Sequence, residues 1–220
     1  EKAIAINPNN ADAYNNLGVI FKELREREKA KDCYEKAIAI NPNNADAYNN
    51  LGVLLNNLGE YEKAKDCYEK AIAINPNNAD VYNNLGVIFK ELGEREKAND
   101  CYEKTIELNP NHAMVYWNLH GLSSDIDEAL SILKKAYKID NKDIDAKIMI
   151  ATLEGFKGNF NEFDHILASS NSNHATTRSA KWVFSLPELP EIFFIRSLFF
   201  DAVVKLAESS RPFYEFGVWN

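Results

Sequence analysis

Apolar and polar positions alternate along this chain with a helical period. Between Leu17 and Leu24 the apolar side chains fall at i, i+3, i+4 and i+7 (Leu17, Ile20, Phe21, Leu24). Between Ala30 and Ile38 they fall at i, i+4, i+7 and i+8 (Ala30, Tyr34, Ala37, Ile38). Either spacing draws one apolar stripe down an α-helix, so two amphipathic helices are predicted here. The polar run "REREK" between them predicts a turn, and Gly59 and Gly93 mark the same place further along. Asn41-Pro42 stops the second helix because a proline cannot continue it, and Asn44 is placed to cap the helix that follows. Each such unit is a helical hairpin.

The unit is written several times. "ADAYNNLGVIFKEL" at Ala11 returns almost unchanged at Ala45 and again at Ala79, 34 positions on each time. A hairpin of this size cannot bury its apolar stripe alone, whereas stacked copies share a continuous core. Gly18, Ala30 and Ala37, with Gly52, Ala64 and Ala71 in the next copy, let helices approach where Tyr14, Phe21 and Tyr34 fill the space. Full repeats span 11–44, 45–78 and 79–112, and 1–10 reads as the end of an earlier one. After Asn111 the pattern decays. Tyr116, Leu119, Ala129, Leu133 and Ala136 still fit a fourth unit over 113–143, although "HGLSSDIDEA" is shortened and Asn141 replaces the proline. A fifth unit is expected over 144–167, where "KGNFNEF" looks like a turn before a second helix.

The spacing of Tyr14, Leu17-Gly18, Phe21, Ala30, Tyr34, Ala37 and Pro42 resembles the tetratricopeptide repeat. The second copy offers Tyr48, Leu51-Gly52, Ala64, Tyr68, Ala71 and Pro76 with Leu55 for the aromatic; the third offers Tyr82, Leu85-Gly86, Phe89, Ala98, Tyr102 and Pro110 with Thr105 for alanine. The resemblance implies an all-α, right-handed α-solenoid over residues 1–167, and a protein-interaction scaffold that takes a peptide or partner domain in a concave groove lined by the first helices.

At about 100° per residue, Tyr14, Leu17, Gly18 and Phe21 share a packed face, and Asn15, Val19 and Lys22 form a stripe roughly 110° from it. Asn16 lies nearly opposite the packed side. Stacking turns these into rows: Asn15, Asn49 and Asn83 in one, and Asn16, Asn50, Asn84 and Asn118 in the other, with Lys22, Asn56 and Lys90 further along. An asparagine amide donates and accepts at once, so a row of them can hold an extended peptide backbone. The row headed by Asn16 resembles the asparagine ladder of the repeats attached to O-linked N-acetylglucosamine transferases, which makes a targeting module of such an enzyme the alternative reading. The blander account is that the whole unit was duplicated and the asparagines came with it; both accounts stand at this level. Groove-type repeats that clamp a terminal carboxylate carry lysine and arginine where Asn15, Asn49 and Asn83 stand, so that subtype is argued against.

Composition removes other classes. A formal net charge of −8 argues against a nucleic-acid binder, and no apolar run reaches the length of a membrane span. Cys33, Cys67 and Cys101 occupy one repeat position and form no local pairs, so they read as packing residues in a reducing, cytoplasmic setting, with no metal site. The four histidines show no ligand spacing. The chain opens on Glu1, inside a repeat, and is expected to be a fragment.

Composition shifts after Leu167. The segment 168–180 is polar and unpatterned and reads as a linker; 181–220 is aromatic-rich, with an apolar helix expected from Pro190. It ends in "RPFYEFGVWN", which resembles the first strand of macrocin O-methyltransferase-like S-adenosylmethionine-dependent methyltransferases. That resemblance implies that Glu215 and Gly217 hold the first two places of a cofactor loop, and that an intact protein would use S-adenosylmethionine. The chain as it stands is not expected to be an enzyme, since one strand is not a nucleotide fold. Self-assembly into a homodimer through identical repeats and an uncovered aromatic tail is a third reading.

Overall fold

The computed structural model describes residues 7–157 and 159. Those residues form nine α-helices and no strand: α1 (Ala11–Glu23), α2 (Arg27–Ile40), α3 (Ala45–Asn57), α4 (Tyr61–Ile74), α5 (Ala79–Glu91), α6 (Arg95–Leu108), α7 (Ala113–His120), α8 (Ile126–Ile139) and α9 (Ile144–Phe156). The chain divides into two units, Glu1–Asn111 and His112–Asn220.

In the first unit α1/α2, α3/α4 and α5/α6 are three antiparallel hairpins stacked in chain order. The "NPNN" tetrapeptide sets each junction. Its first asparagine folds the chain over: Asn41 Oδ1 accepts from the backbone N–H of Asn43 at 3.0 Å, and Asn75 Oδ1 from that of Asn77 at 3.3 Å. Its last asparagine caps the next helix, since Asn10 Oδ1 accepts from Ala13 N at 3.0 Å, Asn44 Oδ1 from Ala47 N at 3.0 Å and Asn78 Oδ1 from Asp80 N at 3.1 Å.

The turn inside each hairpin is equally regular. Arg25, Gly59 and Gly93 have φ of 61°, 76° and 79°, the left-handed conformation that ends a helix. The next backbone N–H reaches back to close the last turn, Glu26 to Phe21 O at 2.9 Å, Glu60 to Leu55 O at 2.9 Å and Glu94 to Phe89 O at 2.8 Å. Glycine adopts this φ without strain, whereas Arg25 holds its Cβ against the backbone.

Within the hairpins Tyr34, Tyr68 and Tyr102 are wholly buried, each ring lying on a glycine of the facing helix. A Cβ at Gly18, Gly52 or Gly86 would come within 2.5, 2.7 or 2.4 Å of that ring's Cε1, so the close approach requires glycine. Ala30, Ala37, Ala64, Ala71 and Ala98 are buried beside the tyrosines. Thr105, which replaces the alanine in the third copy, turns its hydroxyl onto Cys101 O at 2.9 Å and so adds no unpaired polar group there.

The second unit contains α7, α8 and α9. Its first helix has 8 residues against 13 for α1, in line with the shortened stretch after Asn118. Capping is by other residues: His112 Nδ1 accepts from Val115 N at 3.2 Å, Asp125 Oδ2 from Glu128 N at 3.1 Å and Asp143 Oδ1 from Ala146 N at 3.0 Å. Ala129, Leu130, Leu133, Met149 and Leu153 form the core, with Trp117, Ile126 and Ile150 against it. The completion of the fifth unit to residue 167, the linker 168–180 and the extension 181–220 lie outside the described residues.

Candidate functional site

The first helices of the three hairpins carry the asparagine rows, and the rows are joined to each other. Asn50 Nδ2 donates to Asn15 Oδ1 at 2.9 Å, and Asn84 Nδ2 donates to Asn49 Oδ1 at 3.2 Å. The second asparagine of each hairpin therefore meets the first asparagine of the hairpin before it. A helical wheel drawn for one helix separates the two rows and cannot show this, because the bond depends on how neighbouring first helices are offset. The same junction carries Asn44 Nδ2 donating to Asp12 Oδ1 at 3.1 Å, a contact with no signature within either helix.

Burial follows from these bonds. Asn15 and Asn83 are buried, Asn49, Asn50 and Asn84 are half-buried, and Asn16 is exposed. The expectation that the Asn16 row points away from packing therefore describes Asn16 itself; its counterparts Asn50 and Asn84 lean on the preceding hairpin. Each of these two spends an amide N–H on the junction and keeps its Oδ1 as an acceptor for something else.

Beside the amides, Val19, Val53 and Val87 repeat as half-buried apolar positions, and Lys22, Asn56 and Lys90 as half-buried polar ones. Lys22 and Lys90 make no ion pair with any described residue, unlike Lys29, Lys63 and Lys97, which pair with Glu26, Glu60 and Glu94 at the start of the second helices. Tyr14 and Tyr48 are turned the other way, under Lys36 at 5.8 Å and Lys70 at 5.6 Å. The first three hairpins thus present a repeating strip of amide, valine and lysine or asparagine. Asn118 is half-buried on α7, in the second unit. Glu215 and Gly217 lie outside the described residues.

The thiols offer no nucleophile. Burial raises Cys33 and pushes Cys67 and Cys101 up to about 11, so all three stay protonated near neutral pH. Among the described residues no group of three or more histidine, cysteine, aspartate or glutamate side chains is arranged to hold a metal, and no helix is long and apolar enough to cross a membrane.

The family model described as tetratricopeptide repeat matches residues 11–44, 45–78 and 79–112. Solved structures agree. The chain is 26% identical to YrrB, described as a TPR protein with an unusual peptide-binding site, with a TM-score of 0.61 over 82% of this chain and 96% of that one. It is 31% identical to MamA, with a TM-score of 0.55 over 64% of this chain and 84% of that one. PilF of Pseudomonas aeruginosa shares the fold at 23% identity, with a TM-score of 0.64 over 83% of this chain and 96% of that one. No curated protein matches the sequence.

Proposed function

Residues 11–112 are three tandem tetratricopeptide repeats, a protein–protein interaction scaffold, and we propose that the strip on their first helices binds an extended peptide from a partner protein. The observation that carries this reading is the amide chain itself. Bonds from Asn50 to Asn15 and from Asn84 to Asn49 hold the side chains in place before any ligand arrives, which lowers the entropy lost on binding. The Oδ1 atoms left over accept from the N–H groups of a peptide backbone, and valines at repeat spacing cover its apolar side chains. Lys22 and Lys90, unpaired with any described acid, favour carboxylates at the two ends of the strip. The peptide-binding site of YrrB supports the assignment by similarity.

Fluorescence anisotropy on hits from a peptide array tests this. Lys22→Ala with Lys90→Ala, neither of which disturbs a junction, is expected to weaken binding at least tenfold while leaving the melting curve unchanged. A set of hits bound equally well by the variant would remove the strip from consideration.

Two finer readings rest on sequence alone. The "FYEFGVW" resemblance supports a scaffold that brings its partner to an S-adenosylmethionine-dependent methyltransferase, with Glu215 and Gly217 at the start of the cofactor loop. A glycosyltransferase targeting module draws on the resemblance of the Asn16 row to an asparagine ladder, and it would use the same strip.

A further inference from the structure

The fourth repeat begins its first helix differently from the three before it. Asn10, Asn44 and Asn78 cap α1, α3 and α5 through a side-chain oxygen, and His112 stands at the same repeat position before α7. There the imidazole Nδ1 accepts from Val115 N at 3.2 Å. A backbone N–H can only donate, so Nδ1 carries no proton and the ring is neutral, with its proton on Nε2. An asparagine cap does not titrate. Histidine ordinarily changes charge between about pH 5 and 8.

Two features make α7 depend on this cap. It has 8 residues, against 13 in each of α1, α3 and α5. Its first turn has no acidic residue, because Met114 stands where Asp12, Asp46 and Asp80 stand. A proton on Nδ1 replaces the acceptor by a donor facing the N–H of Val115. It also sets a positive charge at the helix N-terminus, where the helix dipole opposes it.

The other histidine of α7 responds in the opposite sense. His120 lies in the last turn; its Nδ1 meets Trp117 O, and its ring stacks on Trp117 with centroids 4.8 Å apart. A carbonyl only accepts, so that Nδ1 already holds its proton. A second proton, on Nε2, leaves the bond in place at the end of the helix where a cation is favoured. The charges at the His112 end of the second unit are Lys138 and Asp140 at the end of α8, Lys142 and Asp143 in the turn that follows, and Asp145 at the start of α9. Asp140 and Asp143 accept from the backbone N–H groups of Lys142 and Ala146, each at 3.0 Å. Upstream, the acid at the repeat position of Asp12 is Asp80, which is engaged.

We propose that His112 is a pH-sensitive cap that holds the first turn of α7 while its ring is neutral and releases it on acidification. The contribution of the cap is complete at the alkaline end of the histidine range and is lost as pH falls through it. α7 carries Trp117 and Asn118, so the helix that presents them becomes the acid-labile element of its unit, whereas the amide caps of α1, α3 and α5 persist. The strip on the first three hairpins takes no part, so either reading can fail without the other.

Hydrogen exchange of the Val115 amide in the full chain, corrected for the intrinsic rate at each pH, tests this. Protection is expected to fall about tenfold between about pH 7.5 and about pH 5.5. In His112→Asn, which restores the residue of the other three caps, protection should stay level over the same range, and in His120→Gln the fall should persist. Imidazole nitrogen shifts in NMR should place the proton of neutral His112 on Nε2. A level profile in the parent, the same fall in His112→Asn, loss of the fall in His120→Gln, or a neutral ring protonated on Nδ1 would each overturn the proposal.

Discussion

Gly52→Ala sets two effects against each other in the middle repeat. Helix propensity favours alanine over glycine inside α3 by ~1 kcal/mol. The structure opposes it: a Cβ at residue 52 would lie 2.7 Å from Cε1, 2.9 Å from Cδ1 and 3.0 Å from Cζ of Tyr68. That ring is 0% exposed and flanked by Ala64 and Ala71, so it cannot swing aside; α3 and α4 must instead part. Overpacking of this kind costs ~1–3 kcal/mol, and here three ring atoms are involved, which places the clash near the upper end. The net expectation is a loss of ~1–2 kcal/mol, read as a lower urea midpoint at unchanged slope in a circular dichroism titration. Tyr68→Leu alone opens a cavity, but in combination with Gly52→Ala the added methyl fills part of it, so the double variant should be more stable than the two single losses predict by ~1 kcal/mol. A Gly52→Ala protein as stable as the parent, or a cycle with no coupling, would refute the close-approach argument and leave propensity in charge.

Three further outcomes follow from the same hairpins. Arg25→Gly should raise stability by ~0.5–1 kcal/mol, because relief of the left-handed strain exceeds the extra freedom glycine has in the unfolded chain; thermal melts check the sign, and Gly59→Arg should lose a similar amount. Tyr102→Phe removes a buried hydroxyl that has no hydrogen-bond partner among the described residues, so the urea midpoint should stay or rise by the equivalent of up to ~1 kcal/mol; a clear fall would mean the hydroxyl is bonded after all. Stability should also decline at alkaline pH. Burial raises the cysteines from 9.0, Cys67 and Cys101 to about 11, and the tyrosines from 10.0, Tyr34 to about 12, so the folded state holds these protons more tightly than the unfolded one. The contribution is complete below pH 9 and drains away as pH climbs through the folded values, and Cys67→Ala with Cys101→Ala should make the decline in urea midpoint between pH 9 and 11 shallower.

The helices, their turns and the order of the hairpins were legible along the chain because each rests on local chemistry. Apolar residues at spacings of three and four, Asn-Pro as a stop and an asparagine three residues before a capped N–H act within one or two turns of backbone. Gly59 and Gly93 marked the turn for the same reason, whereas the left-handed backbone of Arg25 at the same place emerged only from the structure. The repeat register then implied stacking, since no hairpin can hide its stripe by itself.

Sequence by itself determined that asparagines recur on the first helices and that these helices line up in a stack. Tertiary structure decided what those amides do. Whether Asn50 faces open space or Asn15 is a matter of the offset between α1 and α3, which is set where one hairpin packs on the next and appears in no single helical wheel. Burial divides one motif in the same way: "VIFKEL" and "VIFKEL" place Ile20 in the open and Ile88 in the core, identical letters with opposite surroundings, because only one of them has a hairpin lying over it.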